Sequence, residues 1–483
     1  MKPFFFLIAL GAVCLLCCGA FQSSVVGQDA LTEDVKTALA EITEKDVTAT
    51  VAFLASDALA GRQTPSPELD IAAEYIATRF QAAGLVGGAT AKDGNSKSFF
   101  QVHEIATVSY DPGQIAITTD GTPLKHFGML SAGPESFEFG GNLTFVNQSE
   151  NWKQMTFTGP VCLTPKAIEG PRDQFEILAA AHGIKQRGAT AVLIQVDENN
   201  QLVAEAEMAQ SPSLVNPRMR WPAPTLLVFK LAPNQRGRFD ISLPALVSSN
   251  SAVKNVIGVL PGSDPAFSGE AVIFSAHLDH IGRSAGEDTV NNGADDNASG
   301  CTAVCELADA FGALPTAPKR TMIFMTFWGE EKGLLGSLHY ANNPEWPLEK
   351  TVANINIEMV GRPEAGARGK AWMTGWHQSD LGELMNASSS KVDMRIFEHP
   401  KFSEMLYRQS DNASFVDKGV VAHSFSAGSL HSDYHQPGDH WEKLDRRHMT
   451  KVIQGLFVAS LPIANAEVTP KASPVGKRQR RNR

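Results

Sequence analysis

The sequence predicts an α/β protein with a mixed, mostly parallel sheet sandwiched by helices, together with an inserted, mostly β unit. From residue 255 onward, strand-like and helix-like segments alternate, as in a parallel sheet covered by helices. The segment 322–325 is apolar throughout, which suits a strand buried on both faces. Between residues 107 and 250, short β-like segments are broken by Gly and Pro, which indicates a separate folding unit.

Length and composition indicate a folded protein with more than one unit. The 483 residues exceed what one hydrophobic core organises comfortably. Hydrophobic residues make up 43% of the chain, which excludes a largely disordered protein. The net charge of -10 argues against nucleic acid or an anionic membrane surface as a partner. The oligomeric state does not follow from the sequence.

The N-terminus has the form of a secretory signal peptide, which we assign to residues 1–28. Lys2 is followed by a short apolar stretch, residues 4–18, and then by the small residues Gly19 and Ala20. The stretch is short for a membrane span, although an uncleaved anchor is the alternative. Leucines precede Cys17 where a lipoprotein signal has a small residue, so we do not expect lipid anchoring. The protein is therefore expected to be exported, periplasmic or extracellular.

The first part of the main domain, residues 29–106, begins with helices. Ala72, Ala73, Ile76 and Phe80 share one face of a helical pattern that stops near Gly84. Within the inserted unit, 107–250, one helix is predicted at 175–187.

The second part of the main domain, residues 251–466, carries the alternating pattern. Its predicted strands are Ala271–Ala276, Thr321–Phe327, Val352–Val360 and Val420–Phe425. Its predicted helices are Ala298–Leu314, Gly333–Ala341 and Asp445–Leu461. The basic tail, 467–483, is expected to be disordered. Three cysteines after the signal peptide are too few for a disulfide scaffold, and Cys301 and Cys305 are expected to pack in the core.

Five side chains that commonly bind metals each follow a strand-like segment. They are His277, Asp296, Glu331, Glu358 and His435. Because ligands gather at the carboxyl edge of an open parallel sheet, these groups are expected to converge. This order of residues predicts a two-metal hydrolase in which one carboxylate bridges the metals. We expect Asp296 to be the bridge.

The first motif contains His277 and Asp279, two residues apart at the end of a strand. Strand alternation places both on the same side, so Asp279 can hold the second imidazole nitrogen and fix the tautomer. A structural histidine is the alternative interpretation of this motif. In the next motif, Asp295 and Asp296 lie side by side in a loop that opens a helix. Such like charges are costly without a cation, although helix capping is an alternative role.

The remaining motifs supply further carboxylates and an imidazole. Glu330 and Glu331 follow an apolar strand, and one can bind metal while the other takes a proton from water. A solvated pair of charges is the alternative. Glu358 interrupts an apolar strand and needs a metal or a cation such as Arg362 to be buried there. His435 lies in a polar loop.

Other hydrolase motifs fit less well. Gly282–Gly286 matches Gly-x-Ser-x-Gly, but a loop-like segment follows where a serine hydrolase has a helix. The zinc-protease motif His-Glu-x-x-His is absent, because His103-Glu104 leads to Thr107.

Taken together, these motifs resemble the M28 family of zinc aminopeptidases and carboxypeptidases, in particular secreted bacterial members with an inserted protease-associated domain. The resemblance spans nearly the whole mature chain and includes an early segment, Leu54–Arg62. The motifs that carry it are His277–Gly282, Gly293–Gly300, Phe327–Ser337, Asn356–Arg362 and Asp433–His435. It implies the zinc-exopeptidase fold.

The resemblance also implies roles for these residues. His277, Asp296 and Glu358 would hold one zinc ion, and Asp296, Glu331 and His435 would hold a second. Glu330 matches the general base, and Asp279 matches the outer partner of the first histidine. Many relatives have Asp where this chain has Glu358, which leaves the metal preference open.

Three further features are implied by the same resemblance. Tyr407 resembles an oxyanion-stabilising tyrosine of some aminopeptidases, whereas Tyr434 matches that of a carboxypeptidase branch; we favour Tyr407. The segment Arg187–Gln195 resembles part of a protease-associated domain. The implied activity is that of a secreted di-zinc aminopeptidase acting on peptides. A carboxypeptidase or dipeptidase of the family, a glutaminyl cyclase and a metal-free binding protein remain alternatives.

Overall fold

The computed structural model describes residues 30–473 apart from several short gaps. These gaps are 92, 132–134, 167–170, 198–199, 201, 204–205, 207–212, 215–223, 230–236, 285–287 and 429. The predicted signal peptide and the last ten residues of the predicted tail lie outside the described residues. In the part that is described, no helix is both long and apolar enough to span a bilayer.

The helices and strands are numbered here in chain order. The α-helices are α1 (Glu33–Ala40), α2 (Glu44–Leu54), α3 (Pro67–Ala82), α4 (Pro171–Gln186), α5 (Gly300–Gly312), α6 (Leu335–Asn342), α7 (Leu381–Ser389), α8 (Phe402–Met405), α9 (Asn412–Val416) and α10 (Arg446–Ala464). The strands are β1 (Val86–Gly87), β2 (Ala89–Thr90), β3 (Lys97–Ser98), β4 (Phe100–Ser109), β5 (Ala116–Thr119), β6 (Thr122–Pro123), β7 (His126–Ser131), β8 (Phe137–Gly141), β9 (Thr144–Asn147), β10 (Val161–Thr164), β11 (Val192–Val196), β12 (Ser213–Leu214), β13 (Thr225–Phe229), β14 (Phe239–Leu243), β15 (Val247–Leu260), β16 (Ala271–His277), β17 (Thr321–Phe327), β18 (Thr351–Ile357), β19 (Lys370–Met373), β20 (Arg395–Phe397) and β21 (Ala422–Ser426).

One large mixed sheet organises the main domain. Its strand order is β12-β4-β15-β17-β16-β18-β21-β19-β20, and β1 also pairs with β15. The four central strands, β17, β16, β18 and β21, run parallel, whereas β4 and β15 add antiparallel pairs at one side. The parallel arrangement places the carboxyl ends of the central strands at one edge of the sheet.

Helices cover both faces of this sheet, as the sequence predicts. In β16, Val272 and Phe274 belong to the large core beneath α2, α3, α5 and α10, whereas Ile273 belongs to a smaller core on the opposite face beneath α6 and α9. Successive side chains of a strand point to opposite faces, so a strand covered on both sides needs an unbroken apolar sequence. The predicted fold class is confirmed.

The inserted segment builds two sheets of its own. A five-stranded sheet has the order β7-β13-β11-β10-β9, and a four-stranded sheet has the order β6-β5-β14-β8. One core lies between them, with Leu193 and Leu226 from the first sheet and Ile117 and Ile241 from the second. A second core packs under α4. The resemblance of this unit to a protease-associated domain stays a prediction.

The predicted boundaries of the insertion fall inside two long strands. β4 and β15 pair in antiparallel register from Phe100 and Val256 to Ser109 and Val247. The sequence around Ser248–Ser251 is polar because this part of β15 is largely exposed, which made it look like a break between domains. The insertion therefore leaves the main sheet through a continuous two-stranded ribbon.

Most predicted elements of the second half agree with the structure, and the differences lie at their ends. β17 has the predicted bounds, but β18 ends at Ile357, so Glu358 follows the strand instead of lying inside it. The predicted start of α5 is occupied by a π-helical turn, Ala294–Ser299. Cys301 and Cys305 are buried and unpaired, as expected.

Candidate metal centre

All five side chains predicted as metal ligands meet at the carboxyl edge of the parallel strands. His277 is the last residue of β16, and Glu358 directly follows β18. Glu331 lies in the turn after β17, Asp296 lies in the π-helical turn before α5, and His435 comes from the loop after β21. Neighbouring parallel strands end side by side, so residues distant in sequence become neighbours here.

Two groups of candidate ligands share Asp296. In the first, His277 Nε2 lies 3.2 Å from Asp296 Oδ1 and 3.3 Å from Glu358 Oε2. In the second, His435 Nε2 lies 3.1 Å from Asp296 Oδ2 and 3.2 Å from Glu331 Oε2. Asp296 therefore presents one carboxylate oxygen to each group.

The spacing of these atoms fits metal ions in tetrahedral coordination. Zinc bonds of about 2.0 Å to nitrogen or oxygen, at tetrahedral angles, separate two ligand atoms by about 3.3 Å. Although His435 Nε2 and Asp296 Oδ2 are buried and 3.1 Å apart, neither makes a hydrogen bond with another described residue. Buried polar atoms normally find a partner, so this orientation indicates that a cation belongs between them. Histidine and carboxylate groups are the ligands of zinc.

The tautomer of His277 is set by its Nδ1 partner. Nδ1 lies 3.0 Å from the main-chain oxygen of Asp279, and a carbonyl can only accept, so Nδ1 carries the proton. The Nε2 lone pair then faces the carboxylates of Asp296 and Glu358, which requires a cation or a second proton. Burial lowers the pKa of His277, but the carboxylates of Glu358 and Glu330 outweigh it and raise that pKa well above its ordinary value.

The role of Asp279 differs from the prediction in one respect. The carboxylate oxygen Oδ1 of Asp279 lies 3.8 Å from His277 Nδ1 and instead accepts a hydrogen bond from the main-chain N–H of Glu330, at 3.0 Å. The main-chain carbonyl takes the role that we expected of the side chain, because the strand has ended at His277 and the chain turns. The Asp279 carboxylate therefore positions the loop that carries Glu330 and Glu331.

Each glutamate of the two groups has one oxygen held by hydrogen-bond donors of the protein. Ser410 Oγ and Asn356 Nδ2 donate to Glu358 Oε1. The imidazole N–H of His280 donates to Glu331 Oε1 at 2.8 Å. The second oxygen of each glutamate is left to face its ligand group, so both side chains are oriented to bind metal through one oxygen.

Two residues that sequence reasoning did not assign help to build the site. His280 is fully buried and contacts Glu331, and its ring fits because the neighbouring Gly293 has no Cβ. Asp439 is also fully buried, and its Oδ2 accepts from the main-chain N–H groups of Asp295 and Asp296. The position of His280, three residues after His277, was a usable signal. The sequence around Asp439, which lies in a loop, gave no signal of a role in the site.

Glu330 is half-buried beside the first ligand group. Burial raises the pKa of Glu330 well above its usual value; His277 opposes this, whereas the carboxylates of Glu358 and Asp411 add to it. By contrast, burial and Asp296 would raise the pKa of Glu331, but the imidazoles of His280 and His435 bring it to about 2. The adjacent glutamates thus differ in their affinity for a proton.

The two candidate tyrosines occupy different surroundings. Tyr434 lines the cavity at the ligand groups, and its ring stacks on His435 with centroids 3.9 Å apart. Tyr407 stacks on His423 with centroids 5.4 Å apart, packs over Gly375 and is not among the described residues that line this cavity. Burial raises the pKa of both phenols, so both stay protonated at neutral pH.

A cavity of about 390 Å³ opens onto the first ligand group. His277, Asp296, Glu330 and Glu358 form its acidic end. Large apolar side chains make up much of the remaining wall: Met359, Trp372, Phe402, Met405, Leu406 and Leu430. None of the described residues that line it is Lys or Arg. The cavity therefore suits a group with a positive charge at one end and an apolar body.

Comparison with known sequences gives a family match over part of the chain. Residues 255–459 match peptidase family M28. Leupeptin-inactivating enzyme 1 of Streptomyces exfoliatus is 33% identical over 129 residues, which cover 26% of this chain and 27% of that protein. Aminopeptidase YwaD of Bacillus subtilis is 25% identical over 242 residues, which cover 48% of this chain and 49% of that protein. The chain thus spans half or less of the length of these curated relatives.

Comparison with solved structures supports the fold. A zinc aminopeptidase from Bacillus subtilis, BSAP, aligns with a TM-score of 0.59 and 17% identity over 90% of this chain and 96% of the other. An aminopeptidase from Aneurinibacillus sp. strain AM-1 aligns with a TM-score of 0.52 and 18% identity over 91% and 96%. At such identities the likeness concerns the fold. Both ligand groups and Glu330 lie within residues 255–459, the part of the chain that matches peptidase family M28.

Proposed function

We propose that the protein is an exported di-zinc aminopeptidase that removes N-terminal residues with large apolar side chains from peptides. The observation that carries this proposal is the pair of ligand groups sharing Asp296 at the acidic end of an apolar cavity. His277, Asp296 and Glu358 would hold one zinc ion, and Asp296, Glu331 and His435 the other. Export rests on the sequence of residues 1–28.

The lining of the cavity favours an aminopeptidase over a carboxypeptidase. A free α-ammonium group gains electrostatic energy beside Glu330, the one carboxylate of the described lining that is not assigned to a metal, whereas a C-terminal carboxylate would be repelled by it. Arg and Lys are common partners of a carboxylate, and the described lining contains neither. The wall formed by Trp372, Phe402 and Leu430 then receives the side chain of the N-terminal residue.

Glu330 is assigned the proton transfers of peptide hydrolysis. When bound, zinc lowers the pKa of a water molecule and polarises the scissile carbonyl. The Glu330 carboxylate takes a proton from the attacking water and delivers it to the nitrogen of the leaving amine. Its acidic neighbours favour the protonated form, so Glu330 can hold the proton between these two transfers. We assign to the phenol of Tyr434, which lines the cavity, a hydrogen bond to the developing oxyanion.

The experiment that tests this proposal compares Leu-p-nitroanilide with N-acetyl-Leu-p-nitroanilide. We expect the first to be cleaved and the second to be spared, with two zinc ions per chain in the active protein. Glu330→Gln should lower kcat by roughly 10³-fold while zinc content is retained, because only the proton acceptor is lost. Glu345→Gln, a change outside the cavity, serves as the control. Cleavage of blocked substrates or an active Glu330→Gln protein would contradict the proposal.

A further inference from the structure

A short N-terminal segment, Gly61–Thr64, lies against the loops that carry the candidate ligands, although it precedes the family-matched region. The main-chain oxygen of Arg62 accepts from the N–H of His280, and that of Gly61 accepts from the N–H of Gly282. Gly61 has a φ of +74°, and a Cβ there would lie 2.3 Å from the Gly282 oxygen. Only glycine permits this close approach.

The side chain of Arg62 joins two of these loops and the end of α2. Its guanidinium donates to four main-chain carbonyls, those of Leu54, Leu278, Asn292 and Gly293, with separations of 2.9, 2.7 and 3.1 Å for the last three. Leu278 follows the ligand His277, and Gly293 immediately precedes the turn that contains Asp296. Arg62 is 1% exposed.

Thr64 extends the same contact to the third loop. Its Oγ1 accepts from the main-chain N–H of Gly329 at 3.1 Å, and its side chain also hydrogen-bonds to Asp279. Asp279 in turn accepts from the N–H of Glu330. Gly61–Thr64 is therefore hydrogen-bonded to three parts of the site: the loop after β16, the residue that precedes the π-helical turn, and the turn after β17.

A buried arginine that donates to carbonyls is an unusual choice for stability alone. Among the described residues, no carboxylate accepts a hydrogen bond from the Arg62 guanidinium. Burial lowers the pKa of Arg62, and the carboxylates of Asp279, Asp296 and Asp439 compensate only through space. Burying a charge without a paired partner costs free energy that an apolar side chain would avoid. What the guanidinium supplies is a rigid planar fork that fixes several acceptors at once.

We propose that Arg62 is a positioning residue of the metal centre, which sets the distance between the loop carrying His277 and His280 and the turn carrying Asp296. Loss of the fork lets these loops separate, and the Nε2 of His277 no longer lies within ligand distance of Asp296. This inference rests on the proposed function because it requires that the site binds zinc.

The test measures zinc affinity by competition with a coloured chelator, together with the free energy of unfolding of the metal-free protein. Arg62→Lys keeps the charge but loses the fork, and Arg62→Met removes both. Arg320 provides a control for a buried arginine away from the site: it is 2% exposed, donates to the carbonyls of Ile463 and Val468, and also pairs with Glu270 at 2.7 Å. We expect both Arg62 variants to bind zinc at least tenfold more weakly, and Arg320→Lys to be destabilised with unchanged zinc affinity.

The outcomes separate this inference from the function itself. If the unsubstituted protein binds no zinc, the proposed function fails. If it binds zinc and Arg62→Lys binds equally well, only the role of Arg62 is overturned. An Arg62→Lys protein that does not fold while Arg320→Lys does would also overturn it, because Arg62 would then serve the stability of the whole domain.

Discussion

At the scale of single residues, the bridging carboxylate differs from the two glutamates beside it. Both oxygens of Asp296 face imidazoles, one in each ligand group, and its main chain is held by Asp439. Glu331 and Glu358 each have one oxygen held by a hydrogen-bond donor of the protein and one turned to the site. Asp296 can bridge two metal ions because neither of its carboxylate oxygens is held by such a donor.

His280 offers a test of this orientation. We predict that His280→Ala weakens binding of the zinc ion held by Glu331 and His435 by about 10–100-fold, because the glutamate loses the donor that fixes it. Equilibrium dialysis against buffered zinc should show one ion lost before the other. His423→Ala, which removes a buried histidine bonded to Ser379 and the Thr374 carbonyl, is the control. If His280→Ala and His423→Ala lost zinc to the same extent, the role assigned to His280 in orienting Glu331 would be contradicted.

The tyrosines give a second test. Tyr434→Phe should lower kcat by about 10²-fold with little change in zinc content, because one donor to the oxyanion is removed. Tyr407→Phe should retain most of its activity, since its ring packs on His423 outside the described cavity lining. Steady-state kinetics on an unblocked aminoacyl substrate measures both. A larger loss of kcat in Tyr407→Phe than in Tyr434→Phe would instead support Tyr407, which the sequence analysis favoured.

From the sequence, the residues that form the site could be predicted better than the individual atoms that make the contacts. His277, Glu331 and Glu358 were recognisable because each lies at or just after the end of an apolar strand. The use of the Asp279 carbonyl instead of its carboxylate depends on how the chain turns after His277, which residue type does not reveal. Asp439 was missed because it reaches the Asp296 turn only through the folded loop after His435.

At the scale of elements, an ion cluster joins α3 to α5. Arg79 Nη2 lies 3.0 Å from Glu306 Oε1 and within 2.5 Å of Asp309 Oδ2. The Glu306 side chain is 1% exposed, and its second oxygen makes no hydrogen bond with a described residue. Burial raises the pKa of Glu306 to about 7 even though Arg79 opposes that shift. The cluster is therefore sensitive to pH.

The sign of this pH dependence follows from the raised pKa. The contribution of Glu306 to stability is fully present below its ordinary pKa of 4.5 and is lost as pH rises towards 7, because ionisation inside the core costs solvation energy. We predict that Glu306→Gln gains free energy of unfolding relative to the unsubstituted protein across this window. Urea denaturation of both metal-free proteins at several pH values measures it. A difference that does not change with pH would refute the prediction.

Element boundaries were harder to predict than element types. β17 was predicted with its actual ends because turn-forming residues flank an apolar run. The strand predicted at 352–360 was too long, since Met359 and Val360 are apolar but buried beyond the last pairing at Ile357. The boundary predicted at residue 250 falls within β15, in a part of the strand that is polar and exposed.

At the scale of the whole molecule, zinc should stabilise the folded domain. Its proposed ligands come from segments spread from His277 to His435, and the unfolded chain cannot bring them together. A ligand at 100 times its dissociation constant adds about 2.7 kcal/mol. We predict that a strong chelator lowers the melting temperature and abolishes activity, and that added zinc restores both. An Asp296→Ala protein should show no such response, and a full response from it would argue against the shared ligand.

The two-unit organisation could be predicted, but the internal order of the insertion could not. Its composition changes at about residue 107, which marks a separate unit. Its five-stranded sheet follows the order β7-β13-β11-β10-β9, so neighbours in space are not always neighbours in the chain. Strand pairings of this kind depend on long-range contacts that a single sequence does not encode in any local pattern.

The paired strands β4 and β15 bear on how this protein could be engineered. Flexible linkers would let the insertion be excised or exchanged as a cassette, but here its two connections are hydrogen-bonded to each other along ten residue pairs. Any splice must preserve their register, because a one-residue slip turns every side chain of the ribbon to the wrong side. Grafts cut at matched positions such as Ser109 and Val247 keep that alignment, whereas a cut on one strand alone would disrupt the pairing of β4 with β15 in the main sheet.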